Sequence, residues 1–582
     1  MSNRLSNADV VKQLKEALAA MEIKGNNRFS IRAYQNAIAS IDSLTSSVYD
    51  LWENDRLHEI AGVGGGLAQH LNDLFTTGKV GEWDLKKKAL PEGMFELLVL
   101  RGVGPKTAFK LAKEFGITDR ENALEIVKKA AKAKKIQQLP RFGEKSEKEI
   151  LASLEELKKS KNEKPRMLLS HAEEIAERVV KHLKKLEHVE HAIPLGSLRR
   201  RKSTVGDLDF AVSSTKPEEV IKHFVKFEEI RTIETQGENM STVLLTNDTQ
   251  VDILVTPPEA LGALLQHFTG SKQHNIALRK LALEQGKSLS QHGIKVKGKI
   301  KPIATEEKFY EELGLPWITP ELREGMHELE IAKKRKLPNL IELKDIKGDL
   351  HVHTTDSDGV ATLYEMVEKA KKLGYEYLGI ADHAPSVQSR GRFEVLGILE
   401  QKRKQIEKIN ETEDIRVLYG YEVNILKDSS LGMPDDILEK LDFVIAAIHT
   451  SFDQPRDEIT ARMISAIENP LVDIIGHPSG RLINEREACD LDWTKVFAAA
   501  KKHDKILEIN SHPTRLDLAD HLVHDAIRAG IKIIVNTDAH STSDMDLLRF
   551  GVDVARRGWC ESSHVINTLD RDNLLKMLKK VV

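Results

Sequence analysis

The chain has 582 residues, a net charge of −3, an apolar fraction of 40% and a charged fraction of 30%. This length exceeds what one hydrophobic core can serve, so we expect several domains of ordinary globular composition. The near-neutral charge excludes a protein that binds nucleic acid through a uniformly basic surface. With only two cysteines, a disulfide framework is excluded. The lack of a secretory leader or bilayer-spanning stretch predicts a cytoplasmic protein.

Residues 1–165 show the apolar periodicity of helices, for example over 10–20, 31–41 and 94–100. Three similar glycine-containing turns, beginning at Ile60, Leu100 and Leu139, each precede a predicted helix. Backbone N–H groups at such a helix start can bind a phosphate without reading sequence. The turns resemble helix-hairpin-helix motifs, although an ordinary αα-hairpin is the alternative reading. DNA-backbone contacts are expected from Gly102, Gly104, Lys106, Gly143 and Lys145.

We therefore predict an N-terminal helical DNA-binding domain over residues 1–95 and a fingers-like helix-hairpin-helix region over residues 96–165. The pattern then becomes mixed, with a helix over 168–186 and a return to helix and short loops after residue 258. Strand candidates cover residues 192–195, 208–212, 241–245 and 250–256.

Two aspartates, Asp207 and Asp209, stand two residues apart on a predicted strand, so their carboxylates face the same way with Cα atoms roughly 6.5 Å apart. A third acid, Asp252, lies in a later apolar strand. Three converging carboxylates can hold two divalent cations about 4 Å apart for phosphoryl transfer. A bare Gly-Asp-x-Asp sequence is more often a surface turn. The upstream Gly196-Ser197 turn and the third acid favour a nucleotidyltransferase site.

The run 196–200, the Gly-Asp-Leu-Asp sequence and the run 268–271 resemble the family X DNA polymerases, the DNA polymerase beta group, over residues 1–320. The resemblance implies that Asp207, Asp209 and Asp252 are catalytic and ligate Mg²⁺ or Mn²⁺. It also implies that Asp252 takes the proton of the primer 3′-hydroxyl. Nucleotide binding is assigned to Gly196, Ser197, Arg200, Gly206, Asn275 and Arg279.

Three positions depart from that family's pattern. Arg201 stands where glycine is usual, His267 where an aromatic residue precedes Phe268, and Leu254 where arginine is common. If position 201 needs a positive φ, a non-glycine residue costs on the order of 1 kcal/mol there, and Arg201 would add charge beside the phosphate pocket. The lyase lysine of the eukaryotic relatives aligns with His70, which predicts no deoxyribose-phosphate lyase activity.

We predict a nucleotidyltransferase palm over residues 166–258, a thumb-like region over 259–320 and a charged linker over 321–346. Over residues 347–582, apolar strand candidates alternate with helices, which predicts a distorted seven-stranded (β/α) barrel. The fold class is therefore multidomain α/β. The barrel strand candidates cover residues 348–352, 377–381, 416–421, 443–448, 472–475, 506–509 and 531–535.

Histidines and carboxylates gather in this last region at or just after the carboxyl ends of the strand candidates, where barrel enzymes place their catalytic groups. A single histidine there is more often part of the core or surface. Nine such side chains in one topological position indicate a cluster of two or three Zn²⁺, Mn²⁺ or Fe²⁺ ions. The candidate ligands are His351, His353, Asp358, His383, Glu422, His449, His477, Asp538 and His540.

This pattern resembles the PHP (polymerase and histidinol phosphatase) domain at the C-terminus of bacterial and archaeal family X polymerases, with all nine ligand positions filled. The resemblance implies degradation of DNA from the 3′ end, removal of 3′-phosphates and cutting at abasic sites. We expect Arg515 to contact a phosphate, and Arg390 and Arg392 are weaker candidates for the same role.

Together these features predict a DNA-directed DNA polymerase for short-gap filling in base excision repair, joined to a metal-dependent PHP 3′-5′ exonuclease or phosphoesterase. The expected partners are gapped or nicked DNA and dNTPs, for a monomer that binds no membrane. One alternative is a PHP nuclease whose weakened polymerase module mainly binds DNA. The others are a non-enzymatic DNA-end scaffold and a histidinol-phosphate phosphatase, which would leave residues 1–320 unexplained.

Overall fold

The computed structural model describes residues 5, 7–43, 48–53, 57–60, 62–100, 103–140, 142–162 and 166–578. The chain divides into two compact units, Met1–Pro165 and Arg166–Val582. None of the helices in the described part of the chain combines the length and apolar character that a membrane span requires. The predicted multidomain α/β fold, with a helical first part and a seven-stranded parallel sheet at the end, is confirmed.

The first unit is helical over its described residues, as the apolar periodicity predicts. Phe75 and Trp83 are buried in one core of this unit, and Phe95 and Leu111 are buried in a second. Such short helices are stable because they bury an apolar face against each other. The helices are α1 (Asn7–Lys24), α2 (Arg28–Ser43), α3 (Val48–Glu53), α4 (Gly65–Thr77), α5 (Gly81–Lys87), α6 (Gly93–Glu96), α7 (Pro105–Glu114), α8 (Ala123–Lys132) and α9 (Glu144–Asn162).

The second unit begins with a mixed sheet and its flanking helices. Its elements are β1 (Met167–Leu168), α10 (Leu169–Leu183), β2 (His191–Pro194), α11 (Gly196–Arg199), β3 (Thr204–Val205), β4 (Leu208–Ser213), α12 (Pro217–Phe224), β5 (Ile230–Gln236), β6 (Met240–Leu245) and β7 (Gln250–Thr256). The main sheet has the order β2-β4-β7-β6-β5, in which β4 and β7 run parallel. Strand β5 is absent from the sequence prediction because its mostly exposed residues lack apolar alternation.

The next elements form a small helical layer with a three-stranded sheet in the order β10-β9-β8. They are α13 (Leu261–Thr269), α14 (Lys272–Glu284), β8 (Lys287–Ser290), β9 (Gly293–Val296), β10 (Lys299–Lys301), α15 (Glu306–Glu311) and α16 (Glu328–Lys333).

Residues 321–346, for which the sequence predicts a linker, are packed rather than extended and solvated. Arg323, Glu328 and Leu340 are buried, and the Arg323 guanidinium donates to the Glu306 carboxylate at 2.6 Å. The charge that suggested a solvated connection therefore serves partly in buried ion pairs.

The last region is a barrel-like parallel sheet surrounded by helices. Its elements are β11 (Gly348–Val352), α17 (Leu363–Lys372), β12 (Tyr377–Ile380), α18 (Val387–Arg390), α19 (Arg392–Thr412), β13 (Arg416–Asn424), α20 (Asp435–Leu438), β14 (Phe443–Ala447), α21 (Arg456–Glu468), β15 (Ile474–Ile475), α22 (Trp493–Lys502), β16 (Ile506–Asn510), α23 (Asp520–Ala529), β17 (Ile533–Asn536), α24 (Leu548–Arg557) and α25 (Arg571–Leu578).

The seven strands pair in chain order from β11 to β17, each parallel to the next. A parallel bridge between Val352 and Ala539 joins the first strand to the residues after the last one and brings the sheet close to closure. Leu350, Phe443 and Ile474 lie together in a core distinct from the one under the outer helices. Strands buried on both faces explain the continuous apolar runs in the sequence.

Candidate active sites

Two of the three predicted catalytic aspartates lie on one face of the five-stranded sheet, and the third lies just before it. Asp209 on β4 and Asp252 on β7 are register partners on neighbouring parallel strands, and Asp207 immediately precedes β4. All three are half-buried, whereas the alternating residues Leu208 and Ile253 are fully buried. Paired positions on adjacent strands direct their side chains to the same face, so the carboxylates of Asp209 and Asp252 lie side by side. Among the described residues, the groups of side chains whose ligand atoms all lie within 4.8 Å of one another do not include the three aspartates together.

Two side chains hold the carboxylate of Asp252 in place. The Thr242 hydroxyl on β6 donates to Oδ1, and the Gln250 amide donates to Oδ2 at 2.7 Å. Both donors approach from the sheet and fix the orientation of this carboxylate. A set of carboxylate oxygens is the donor chemistry that Mg²⁺ and Mn²⁺ prefer, so the residues present fit these ions.

The turn that begins at Gly196 packs directly against the aspartates. Gly196 has a φ of +58°, and a Cβ at this position would lie 3.0 Å from Oδ2 of Asp209. The Leu195 N–H donates to the Asp209 carbonyl oxygen at 2.8 Å. A side chain at position 196 would therefore press on a candidate metal ligand. Ser197, the next residue, is half-buried.

Arg200, predicted to bind the triphosphate, is engaged by other parts of the second unit. Its Nε donates to Glu324 at 3.0 Å, and its Nη1 donates to the carbonyl oxygen of Thr269 at 2.5 Å. Gly206, the other glycine assigned to nucleotide binding, lies against Arg166, whose Nη1 would be 3.1 Å from an added Cβ. A nucleotide contact through Nε of Arg200 therefore requires exchange of its Glu324 contact.

Arg201 has a φ of +58°, so the position does need the left-handed conformation for which glycine is usual. Its guanidinium donates to the carboxylates of Asp553 and Glu173. The expectation that Arg201 adds positive charge beside the phosphate pocket is wrong, because these two carboxylates neutralise the guanidinium.

The two predicted minor-groove contacts lie on α14. Asn275 accepts from the Gln266 amide at 2.8 Å and donates to the carbonyl oxygen of His267 at 2.7 Å, while Arg279 is exposed. Burial, with a smaller contribution from the positive charge of Arg279, lowers the pKa of His267. The unusual residue at position 267 is therefore a neutral ring at physiological pH, adjoining one of the expected nucleotide contacts.

The predicted DNA-backbone residues lie at helix starts in the first unit. Gly104 has an extended backbone immediately before α7, Gly143 precedes α9, and Lys106 is exposed. Gly102 and the side chain of Lys145 lie outside the described residues. The arrangement at α7 leaves a helix N-terminus and a lysine at the same surface, which suits a phosphate.

The nine predicted ligands of the barrel converge at the carboxyl edge of the parallel sheet. Glu422 lies at the centre of one part: its carboxylate is 2.8 Å from His477 Nε2, and 3.0 Å from both His449 Nε2 and His383 Nδ1. Burial alone would raise the pKa of Glu422, but His449 and His351 reverse this effect and hold that pKa well below its usual range.

Two aspartates organise the rest of the cluster. Asp358 lies 3.3 Å from Nε2 of both His383 and His540, and Asp538 lies 3.0 Å from Nε2 of His353. Among the described residues, three groups have ligand atoms within 4.8 Å of one another. These groups are His353, Asp358, His383 and His540; His351, His353 and Asp538; and His383, Glu422 and His449.

The hydrogen bonding of one imidazole, that of His351, indicates whether this cluster fits metal ions. His351 Nε2 is buried and makes no hydrogen bond to any described residue, although it lies 3.5 Å from Asp538 and 3.6 Å from Glu422. Its Nδ1 contacts Glu508 at 2.7 Å. A carboxylate on one ring nitrogen leaves the lone pair of the other free for a cation, so the residues fit a metal cluster.

Glu508 is a candidate functional residue that the sequence prediction missed. It is fully buried on β16, accepts from the His477 N–H at 2.7 Å, and accepts from the Asn536 amide at 2.9 Å, in addition to contacting His351. The sequence feature that could have identified Glu508 is the presence of an acidic residue inside an otherwise apolar strand. That signal was available, but a sequence does not tell whether such an acid faces a site or pairs within the core.

A second missed group supports the loops that carry His353 and His383. Lys402 on α19 is 3% exposed, and its ammonium donates to the Thr354 hydroxyl and the Asp356 carboxylate, both at 2.8 Å. It also lies 3.2 Å from Asp382. One buried lysine therefore joins the chain segments that follow β11 and β12.

Arg515, predicted as a phosphate contact, lies at the rim of the cluster with its Nε 3.7 Å from Asp538 Oδ2. The weaker candidates Arg390 and Arg392 are paired with Glu394 and Asp436. Of the three arginines, Arg515 is therefore the one that contacts a candidate ligand.

Family models match four parts of the chain. A helix-hairpin-helix domain matches residues 5–80, and a SAM-like helix-hairpin-helix tandem matches residues 95–156. The DNA polymerase beta thumb matches residues 264–324, and the PHP domain matches residues 349–512. The matches follow the order helical region, polymerase and barrel.

Curated proteins match either nearly the whole chain or about a third of it. The chain is 36% identical over 577 residues to the DNA polymerase/3′-5′ exonuclease PolX of Bacillus subtilis (strain 168), covering 98% of this chain and 99% of that protein. A probable phosphatase of Thermoanaerobacter sp. (strain X514) is 32% identical over 231 residues, covering 38% of this chain and 89% of that protein.

Proposed function

Because the chain belongs to the family X DNA polymerases that carry a C-terminal PHP domain, we propose that it fills short gaps during DNA repair and trims the 3′ ends at such gaps. As an enzyme of this family it combines a DNA-directed DNA polymerase with a 3′-5′ exonuclease. The observation that carries the proposal is the presence of two separate, intact ligand sets: the aspartates paired across β4 and β7, and the cluster around Glu422.

At the polymerase site, Mg²⁺ or Mn²⁺ held by Asp207, Asp209 and Asp252 would neutralise the triphosphate and make the primer 3′-hydroxyl more acidic. Asp252 would take the proton of that hydroxyl, since Thr242 and Gln250 hold its carboxylate in a fixed orientation.

The triphosphate would lie at the turn 196–201. Ser197 would supply its hydroxyl, Arg200 would supply its guanidinium after leaving Glu324, and Gly206 would allow close approach of the backbone. Asn275 and Arg279 on α14 would contact the minor-groove edge of the new base pair. These residues position the α-phosphate for in-line attack and the departure of pyrophosphate.

At the barrel site, the nine candidate ligands would hold two or three Zn²⁺, Mn²⁺ or Fe²⁺ ions, which would supply a nucleophile at neutral pH and neutralise charge on the phosphodiester. Glu508 orients the imidazole of His351, and Lys402 holds the segments after β11 and β12. Arg515 would bind the phosphate at the rim.

The substrate would be gapped or nicked DNA, held through its backbone by the helix starts at Gly104 and Gly143, with dNTPs as the second substrate. We propose a monomeric, cytoplasmic enzyme. The two cysteines, Cys489 and Cys560, are buried free thiols, as a reducing compartment allows.

Primer extension on a one-nucleotide gap, with Mg²⁺ or Mn²⁺ and a single dNTP, tests the polymerase half of this proposal. Wild-type protein should fill the gap, and Asp209→Ala should lower the rate at least about a thousandfold while 3′ trimming persists. Glu218→Ala, which removes an exposed acid on α12, is the matched control and should behave as wild type.

Failure of the wild-type protein to extend with either ion, while it still trims 3′ ends, would favour the alternative of a PHP nuclease with a DNA-binding polymerase module. The contact of Arg200 with Glu324 is the observation that supports this alternative, because it occupies the expected triphosphate ligand.

A further inference from the structure

A helix of the barrel reaches the nucleotide-binding turn of the polymerase. Helix α24 carries Asp553 and Arg557, and both contact the turn 196–201, although they lie far from it in sequence. The helix belongs to the PHP part of the chain by its position after β17. The expected polymerase pocket is therefore built partly from PHP residues.

Arg557 is the centre of this contact, and its side chain is 2% exposed. Its Nη1 donates to the backbone carbonyl oxygen of Arg200 at 2.5 Å and to the Glu324 carboxylate at 3.0 Å. Its Nε and Nη2 donate to Asp520 at 2.8 and 2.6 Å. The same Glu324 oxygen accepts from the Arg200 side chain, so Arg557 contacts Arg200 both directly and through Glu324.

Asp553 acts on the next residue of the turn. Arg201 has a left-handed backbone, which is unfavourable for a residue other than glycine. Its guanidinium is held between Asp553 on α24 and Glu173 on α10. The ion pairs across the polymerase–PHP contact thus fix a backbone conformation that glycine would otherwise supply.

We propose that Arg557 and Asp553 of the PHP domain are positioning residues of the polymerase, which hold the turn 196–201 so that Arg200 can pass from Glu324 to the triphosphate of a bound dNTP. The inference rests on the proposed polymerase function.

The arrangement of charges gives the physical reason. When a triphosphate takes Arg200, Glu324 keeps Arg557 as its partner, and Lys202 lies 3.7 Å away on its other side. Glu324 is therefore not left as an uncompensated, largely buried charge, which would be costly. Without Arg557, Glu324 would hold Arg200 more strongly and withdraw it from the nucleotide.

The experiment measures single-nucleotide gap filling by the full-length chain and separates KM for the dNTP from kcat. Arg557→Ala should raise KM at least about tenfold and change kcat much less. Adding Glu324→Gln should restore much of the affinity, because the competing carboxylate is then neutral. In an Arg200→Ala background, Arg557→Ala should raise KM no further, because the residue on which it acts is gone.

Arg556→Ala is the matched control. Arg556 is the neighbouring arginine of α24 and bonds Glu321 and the Ile341 carbonyl oxygen, both at 2.8 Å, away from the turn. It should leave KM for the dNTP within about twofold of wild type. Trimming of 3′ ends by each variant reports that the PHP domain is folded. Should Arg557→Ala fail to fold, Arg557→Lys takes its place, with a smaller increase in KM.

Three results would overturn the inference: an unchanged KM in the Arg557 variant, an equal increase in Arg556→Ala, or additive effects of Arg557→Ala and Arg200→Ala. Absence of gap filling by the wild-type chain would instead count against the polymerase function itself, so the two failures are distinguishable.

Discussion

The two candidate sites of the second unit are built in different ways. In the barrel, imidazoles and carboxylates from successive strands contact one another, and His351, His353, Glu422 and His477 are almost fully buried. In the palm, the half-buried Asp209 and Asp252 pair on neighbouring strands with Asp207 just before β4, and Arg200, the expected phosphate ligand, contacts Glu324. The barrel site needs cations to be complete, whereas the palm site needs cations, a nucleotide and a primer.

The two sites therefore differ in what orients their candidate ligands. The barrel ligands are oriented by each other and by buried groups such as Glu508, so losing one member disturbs the whole cluster. The palm relies on strand register for its carboxylates and on residues such as Thr242 to orient them. Changes in the barrel cluster should therefore have larger effects than changes in the groups that support the palm.

Replacing a central barrel ligand should break the comparison most clearly. We expect His351→Ala to lower 3′ trimming at least about a thousandfold, because a buried candidate metal ligand is lost, while gap filling stays within about twofold of wild type. Release of a labelled 3′ nucleotide and primer extension, measured on the same preparation, check this. Loss of both activities in a folded variant would mean that the two sites are not separate.

A supporting residue of the barrel should give a smaller but clear effect. We expect Glu508→Gln to lower 3′ trimming roughly 10- to 100-fold, since His351 loses the carboxylate that orients its ring and the affinity for metal falls. A titration of trimming activity with Mn²⁺ should show partial rescue at high concentration. Glu368→Gln changes an exposed acid of the same domain and is the control. Trimming unchanged in Glu508→Gln would remove Glu508 from the site.

The smallest effect is expected at the support of the palm. Thr242→Val keeps the branched shape but removes the hydroxyl that orients Asp252, and we expect kcat for gap filling to fall about threefold to tenfold with KM for the dNTP unchanged. Thr235→Val, at the register partner of Thr242 on β5, is the control. If Thr242→Val lowered kcat as much as Asp209→Ala does, the palm would depend on its supporting residues as strongly as the barrel does.

The local patterns of the sequence predicted much of this architecture. Apolar runs gave the seven barrel strands within a few residues, and the Gly-Asp-Leu-Asp sequence together with Asp252 pointed to neighbouring strands, which β4 and β7 are. The exposed edge strand β5 carries no apolar alternation, and the charged residues 321–346 look like solvent-facing chain. Neither the pairing of β5 with β6 nor the burial within residues 321–346 leaves a local pattern, because both depend on which partner lies against the segment.

The sequence by itself determined the order of the regions and the chemistry available at each strand end, because both depend on residue type and short-range spacing. Only the tertiary structure decided which charges meet. Arg201, judged from its neighbours, belonged to the phosphate pocket, but its guanidinium pairs with Asp553, far along the chain. Glu508 was one acid in an apolar strand until β16 placed it against His351. A single sequence does not reveal which distant side chains pair, because the residue pattern around each partner is set by its own helix or strand and not by the other partner.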